Sequence, residues 1–264
     1  MLLVSFFYAT VRPSPPIAEL ALYGALWIAF TTFGAIQTYL GASAARPLID
    51  GALVHFDSSI GFDWVAWVGF VRSHPMLNAV LRAAYNSLLL QIVGSLLLFS
   101  LAKANGRNRE LLLNAAVALF LTTLLATALP ALGPWVHFGY GALNSADTAY
   151  VAHVLALRQG NAPPFALSQM QGIDCFPSFH TVLAVLLVYA HRGIRWSFLP
   201  VAALNIVMLC SIPSEGGHYL SDMIGGAAVA LLAITLVHAA LRLTTSGGML
   251  HPPRLARLWS FQAG

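Results

Sequence analysis

The 264 residues are 58% hydrophobic and only 8% charged, with a mean hydropathy of +0.76. A soluble domain carries about a quarter charged residues, so an ordinary water-soluble globule, a disordered chain and a solvent-facing nucleic-acid binder are excluded. The net charge of +4 comes from 13 basic and 9 acidic residues, and two cysteines supply neither a thiolate metal cluster nor a secreted disulfide framework.

Residues 1–16 are a polar start, with Pro13, Pro15 and Pro16, too short for a domain. The opening LLVSFFYA lacks a basic leader and a cleavage site, so it is not read as a signal peptide. A helix crossing the hydrocarbon core needs about 20 mostly apolar residues. Stretches meeting or approaching that length cover 17–41, 76–101, 111–129 (stopped by Pro130), 176–190, 196–212 and 219–241. Six transmembrane helices are therefore expected, in one all-α polytopic membrane domain over 1–264 with its catalytic core at roughly 75–241. Between the first two spans, Phe62, Trp64, Trp67 and Phe70 suggest a helix lying in the membrane interface. Residues 133–171 form a long polar stretch. From residue 244 a short solvated tail carries His251, Pro252, Pro253, Arg254 and Arg257.

Loops biased to Lys and Arg stay in the cytoplasm. With both termini inside, that side holds Arg12, Lys103, Arg107, Arg109, Arg192, Arg195, Arg242, Arg254 and Arg257, nine of the thirteen basic residues. The other side keeps Arg46, Arg72 and Arg158, and Arg82 falls within the second span. Asp50, Asp57, Asp63, Asp147, Asp174, Glu215 and Asp222 gather on or near that other face. The expectation is a multi-pass protein of the cell (inner) membrane, termini cytoplasmic, with any chemistry at the outer helix ends.

The chemical signal lies at two helix starts, Cys175-Phe176-Pro177-Ser178-Phe179-His180-Thr181 and Gly216-Gly217-His218-Tyr219-Leu220-Ser221-Asp222. Two crossings separate them, so His180 and His218 return to the same membrane face. His218 and Asp222 are four residues apart and share a helix face. That pairing fixes the imidazole tautomer and leaves the far nitrogen free as nucleophile or base. Two histidines with different partners suit phosphoryl transfer: His218 attacks phosphorus and His180 protonates the departing oxygen. Ser178, the start of the fourth span and the Gly216-Gly217 bend are candidate phosphate donors, because helix N-termini present free N–H groups to anions. Arg82 and Arg158 are candidate cationic clamps. No metal or other cofactor is needed.

At these residues the chain resembles the type 2 phosphatidic acid phosphatase superfamily of integral membrane enzymes. Pro177-Ser178-Phe179-His180 stands where that family reads Pro-Ser-Gly-His. Ser211, His218 and Asp222 match its last motif, but Ile212 stands where arginine is expected, and the first motif has no counterpart. Phe-Pro-Ser-Phe-His, Gly-His-Tyr-x-x-Asp and Pro130-Ala131-Leu132-Gly133-Pro134-Trp135 are similar to the branch containing inositol phosphorylceramide synthase. The resemblance implies a six-helix fold, His218 as nucleophile, Asp222 as its orienter, His180 as general acid and Ser178 as a phosphate ligand. It further implies a lipid-linked phosphate substrate, without nucleic acid.

Each residue also has a duller reading. Ser178 as helix cap, Asp222 as first-turn acid, Arg82 as a snorkelling side chain and Arg158 as a solvated loop charge are all open. Tyr85, Asn86 and Gln91 read as interhelical hydrogen-bond glue, and Gly225-Gly226 as close packing. Cys175 and Cys210 read as free buried thiols rather than a disulfide. A zinc site from His180, His218 and Asp222 has the ligand count but no evident acidic neighbours to support it. Beside the phosphatase or phosphotransferase stand a sphingolipid-type (inositol phosphate-like) head-group transferase and a non-catalytic lipid-binding or transport protein.

Overall fold

The computed structural model describes residues 1–140, 149–161, 166 and 170–246, with no strand among them. The expected C-terminal tail and parts of the 133–171 stretch, Asp147 included, lie outside the described residues. The chain is an all-α polytopic membrane bundle.

A short helix α1 (Leu2–Thr10) precedes α2 (Pro15–Ser43). Pro15 and Pro16 open α2 where the missing N–H groups have no helical partner to lose. Two short helices follow, α3 (Asp50–Ser59) and α4 (Trp64–Ser73). Asp63 caps α4 by accepting from the Ala66 amide at 2.9 Å. Next come α5 (Pro75–Asn86) and α6 (Leu88–Leu101), bent by 46°. At the break the Ser87 hydroxyl donates back to the Ala84 carbonyl at 2.6 Å, a bond that competes with the helical ladder. Then follow α7 (Asn105–Ala128), α8 (Pro134–His137), α9 (Ala149–Arg158), α10 (Phe179–Ala190), α11 (Arg195–Glu215) and α12 (Leu220–Ser246).

Among the described residues four helices (α2, α7, α11, α12) are long and apolar enough to cross a membrane, with a fifth span if the bent α5–α6 pair counts as one. The remaining expected span, the fourth in chain order, is α10, whose 12 residues measure about 18 Å, short of a hydrocarbon core of about 30 Å. Contacts give the directions. Gly34 faces Leu119 and Gly41 faces Thr127, so α2 and α7 run parallel with α5–α6 returning between them. Arg192, just past α10, donates to Glu110 near the start of α7 at 2.6 Å, placing the far end of α10 beside the beginning of α7.

The main core joins α2, α6, α7, α10 and α12 through Trp27, Phe99, Leu111, Ala115, Ala118, Val182, Leu186, Leu187, Ala230 and Ala233. Alanines at the α7 and α12 seams let backbones approach closely where no hydrophobic drive between helices exists. Gln91 is the interhelical glue expected of it: its side-chain carbonyl accepts from Asn205 of α11 at 2.6 Å. Trp64 departs from the interfacial expectation. It is buried, stacks on Phe138 at 5.5 Å and meets Trp135 edge-on at 5.0 Å. Its indole donates to the Pro213 carbonyl at 2.9 Å, a group in the last turn of α11 that lacks an in-helix donor. Phe70, on the same helix, remains exposed.

The Gly225-Gly226 pair packs as expected. A side chain on Gly226 would run into the Ser178 carbonyl and the Thr181 side chain. Gly226→Val is therefore expected to destabilise by about 1–3 kcal/mol. Gly94→Ala, whose added carbon meets nothing within 4 Å, should not destabilise. Thermal unfolding of both variants in detergent checks the contrast.

Candidate active site

The turn between α11 and α12 carries His218. Gly217 sits there at φ +61°, and a side chain on it would collide with the Trp135 indole, so the turn requires glycine. The first amides of α12 are capped from another helix: Leu220 and Ser221 N–H groups each donate to Asp57 of α3 at 2.8 Å. Two turns earlier on α3, Asp50 accepts from the Gly133 amide at 2.8 Å, the Leu132 amide at 3.0 Å and the Tyr219 hydroxyl at 3.0 Å. One face of α3 therefore fastens both the end of the α7 connection and the histidine turn.

Asp222, 0% exposed, is the hub. Its Oδ2 accepts from the Tyr219 amide at 2.9 Å, from His218 Nδ1 at 3.1 Å and from the Cys175 thiol at 3.3 Å. Its Oδ1 makes no hydrogen bond among the described residues. The Asp222 backbone carbonyl accepts the Ser178 amide at 3.0 Å, tying the start of α10 to the start of α12. Ser178 caps α10, its hydroxyl accepting from the Thr181 amide at 3.4 Å. His180 stacks nearly parallel on Tyr85 of α5, ring centroids 4.4 Å apart.

His180 and His218 line one cavity of about 500 Å³, together with Tyr85, Asp174, Glu215 and Gly216. Leu119 and Thr122 of α7 share this wall, roughly 10 Å before that helix ends, so the cavity reaches into the bundle. An apolar arm continues along α2 past Thr38 and Gly34 to Trp27, a run of about 16 Å. Among the described residues that line the cavity, none is lysine or arginine.

The sequence candidates therefore separate. His180, His218 and Asp222 come together. Arg82 approaches by way of Glu215, donating to it at 3.0 Å while its own side chain is 63% exposed. Arg158 is directed elsewhere, to the Arg46 carbonyl at 2.7 Å, and is absent from the cavity wall. Ser178 is fully buried beneath that wall, and Gly216 rather than Gly217 lines it. Tyr85 stacks on a histidine of the site. Asp50, Asp57 and Cys175 join the site without a sequence signal assigning them there. Arg82 and Tyr85, three residues apart on one helical face, were the available pointer to α5.

Burial pushes the Cys175 thiol well above its ordinary range, with the Asp222 charge adding to it, so the group stays protonated and remains a donor. Burial, then the nearby Asp50 charge, raises the Tyr219 phenol likewise. Burial alone raises Asp174 to about 7. Cys175 Sγ, His218 Nδ1 and Asp222 Oδ2 lie within 4.8 Å of one another and have metal-ligand composition, yet each is engaged with the others by hydrogen bonds. Cys175 is buried and free, as expected; Cys210 is free but exposed. A second cavity, of about 480 Å³ near Trp64, has Asp57 and Asp63 in its wall, but both carboxylates already serve as helix caps.

The family model described as PAP2 superfamily matches residues 51–236. Searches of curated proteins and of solved structures returned no significant match.

Asp57→Ala strips the acceptor from two amides at the start of α12. A loss of about 1–2 kcal/mol is expected, read as a lower Tm, with Asp57→Asn, which keeps one acceptor oxygen, falling between the two.

Proposed function

The chain belongs to the PAP2 superfamily, whose members are generally phosphatases or phosphotransferases, and on that premise we propose that it transfers a phosphoryl group from a lipid-linked phosphate through a phosphohistidine on His218. One observation carries the reading: the buried His218 Nδ1–Asp222 Oδ2 hydrogen bond, on an imidazole that shares a cavity with His180. With Nδ1 donating to the carboxylate, the other ring nitrogen holds its lone pair for phosphorus. The N–P bond forms, the P–O bond to the leaving alcohol breaks, and His180 gives that oxygen a proton. In the second half-step water or an acceptor alcohol attacks phosphorus, His180 takes its proton and the N–P bond breaks. The Phe179 and His180 amides, in the first turn of α10, lack an in-helix acceptor and belong to residues lining the cavity, which suits phosphate oxygens. Arg82, the sequence candidate nearest the wall, is paired with Glu215 there. The setting proposed is the outer face of the cell membrane, where the basic residues are few.

A specific feature favours the head-group transferase reading. A phosphomonoester brings two negative charges near neutral pH and a phosphodiester one. A wall without described lysine or arginine accommodates the smaller charge at lower electrostatic cost. Transfer of a phosphate-bearing head group from a diester donor fits that balance.

Purified protein is incubated with labelled lipid phosphates, monoester and diester, with and without an alcohol acceptor. Released phosphate without acceptor product identifies hydrolysis, and labelled acceptor identifies transfer. His218→Ala is expected to abolish turnover and the acid-labile phosphoenzyme, and Asp222→Asn to cut the rate about 10²–10⁴-fold through the wrong tautomer. Lipid movement surviving His218→Ala, with no turnover by the wild type, would replace the enzyme reading with transport.

A further inference from the structure

Asp174 stands in the segment between α9 and α10, four residues before Ser178 and six before His180. It lines the same cavity as both histidines. Its Oδ2 is buried and makes no hydrogen bond among the described residues. The neighbouring residues of known chemistry are Cys175, whose thiol is given to Asp222, and Tyr150 of α9, whose hydroxyl donates to the Leu132 carbonyl at 2.6 Å. Across the cavity stand Glu215, His180, His218 and Tyr85. Arg158 shares a small cavity with Asp174 on its other side, but its guanidinium is bonded to the Arg46 carbonyl. A carboxylate left in such a place is expensive, because burial without a donor or counter-charge disfavours the ionised form. A carboxylic acid there has one O–H to give, and the cavity is where an acceptor can reach it.

We infer that Asp174 is a substrate-binding residue that enters the cavity as the neutral acid and donates its proton in a hydrogen bond to a phosphate oxygen, supplying part of the anion recognition that the missing family arginines would have given. The inference rests on the phosphate-transfer reading. The acid is neutral, so it adds a donor without adding a cation and without the repulsion that a second wall carboxylate would bring. Its proton stays with the carboxyl group throughout; no bond to phosphorus is made or broken at Asp174. Burial raises this carboxyl to about 7, which makes the contribution titratable. Below that pH the donor is present. Above it Asp174 ionises, the donor becomes an acceptor-only anion facing the phosphate, and affinity falls.

The test compares wild type, Asp174→Asn and Asp174→Ala, each first checked for an unchanged elution profile and Tm in detergent. The readout is KM for a lipid phosphodiester across pH 5.5–8.5. The wild-type KM is expected to rise above about pH 7 by up to roughly tenfold per pH unit. Asp174→Asn, which keeps an N–H donor but cannot ionise, should lose that pH-dependent component. Asp174→Ala should raise KM about tenfold or more at pH 6, where the wild type still has its donor. The proposal is overturned if Asp174→Asn retains the wild-type pH profile, or if folded Asp174→Ala keeps the wild-type KM at pH 6. A binding arm separates this from the reaction itself. In a His218→Ala background, the preference for vesicles of the phospholipid over its dephosphorylated counterpart should fall on adding Asp174→Ala and hold on adding Asp174→Asn at pH 6. That pattern without turnover by the wild type would support Asp174 and overturn the proposed reaction. No effect of either substitution on the preference would overturn the role of Asp174, whatever the turnover.

Discussion

Asp222 holds two distant parts of the chain together with one side chain and one carbonyl. Its carboxylate gathers the His218 ring, the Tyr219 amide and the Cys175 thiol, while its backbone accepts the Ser178 amide. A fully buried carboxylate is tolerable only if donors offset its desolvation. Here the three donors also fix the geometry: the amide sets the turn, the imidazole its tautomer, and the thiol the approach of the α10 segment. The spacing between the histidine-bearing starts follows from this cluster, so displacing Asp222 disturbs both histidines at once.

What was legible in the sequence was local. His218 and Asp222 lie one helical turn apart, and Ser178 and His180 sit at the mouth of an apolar run, so spacing alone paired them. The remaining parts of the site rest on partners far off in sequence. Asp50 reaches Tyr219 across 169 residues and Asp57 reaches Leu220 across 163, and no short-range periodicity carries that information. Both acids were visible only as charges of one membrane face. Trp64 read as an interfacial aromatic because a tryptophan near a span end has that default; the orphan carbonyl at Pro213 that buries it is a tertiary fact. The break at Ser87 escaped for the opposite reason. No proline or glycine stands at the break within 76–101, and a single back-bonding hydroxyl is too small a signal to divide the stretch.

The scarcity of charge that marks the chain as membrane-embedded reappears inside the cavity in sharper form. Arg82 is neutralised by Glu215, Arg158 faces away, and Ile212, standing where the family motif has arginine, is fully buried. Among the described residues the recess is lined by histidines and carboxyl groups in place of fixed cations. On the proposed reading an anion there depends on helix-start amides and on protons that neighbouring groups retain, which would couple recognition to pH more tightly than a wall of guanidinium groups.

The two aspartates of α3 also tie the part of the chain before α5 into the working unit of this protein. A shortened chain starting at α5 would keep both histidines and Asp222, yet the amides of Leu132, Gly133, Leu220 and Ser221 would lose their acceptors. Losing the Asp57 cap costs about 1–2 kcal/mol, and the Leu132 and Gly133 amides, if left buried without acceptors, add about 1–3 kcal/mol each, together a large share of the stability of a typical domain. The smallest excisable piece therefore has to include α3, even though that helix is ten residues long, carries no reacting group and is too short to cross a bilayer.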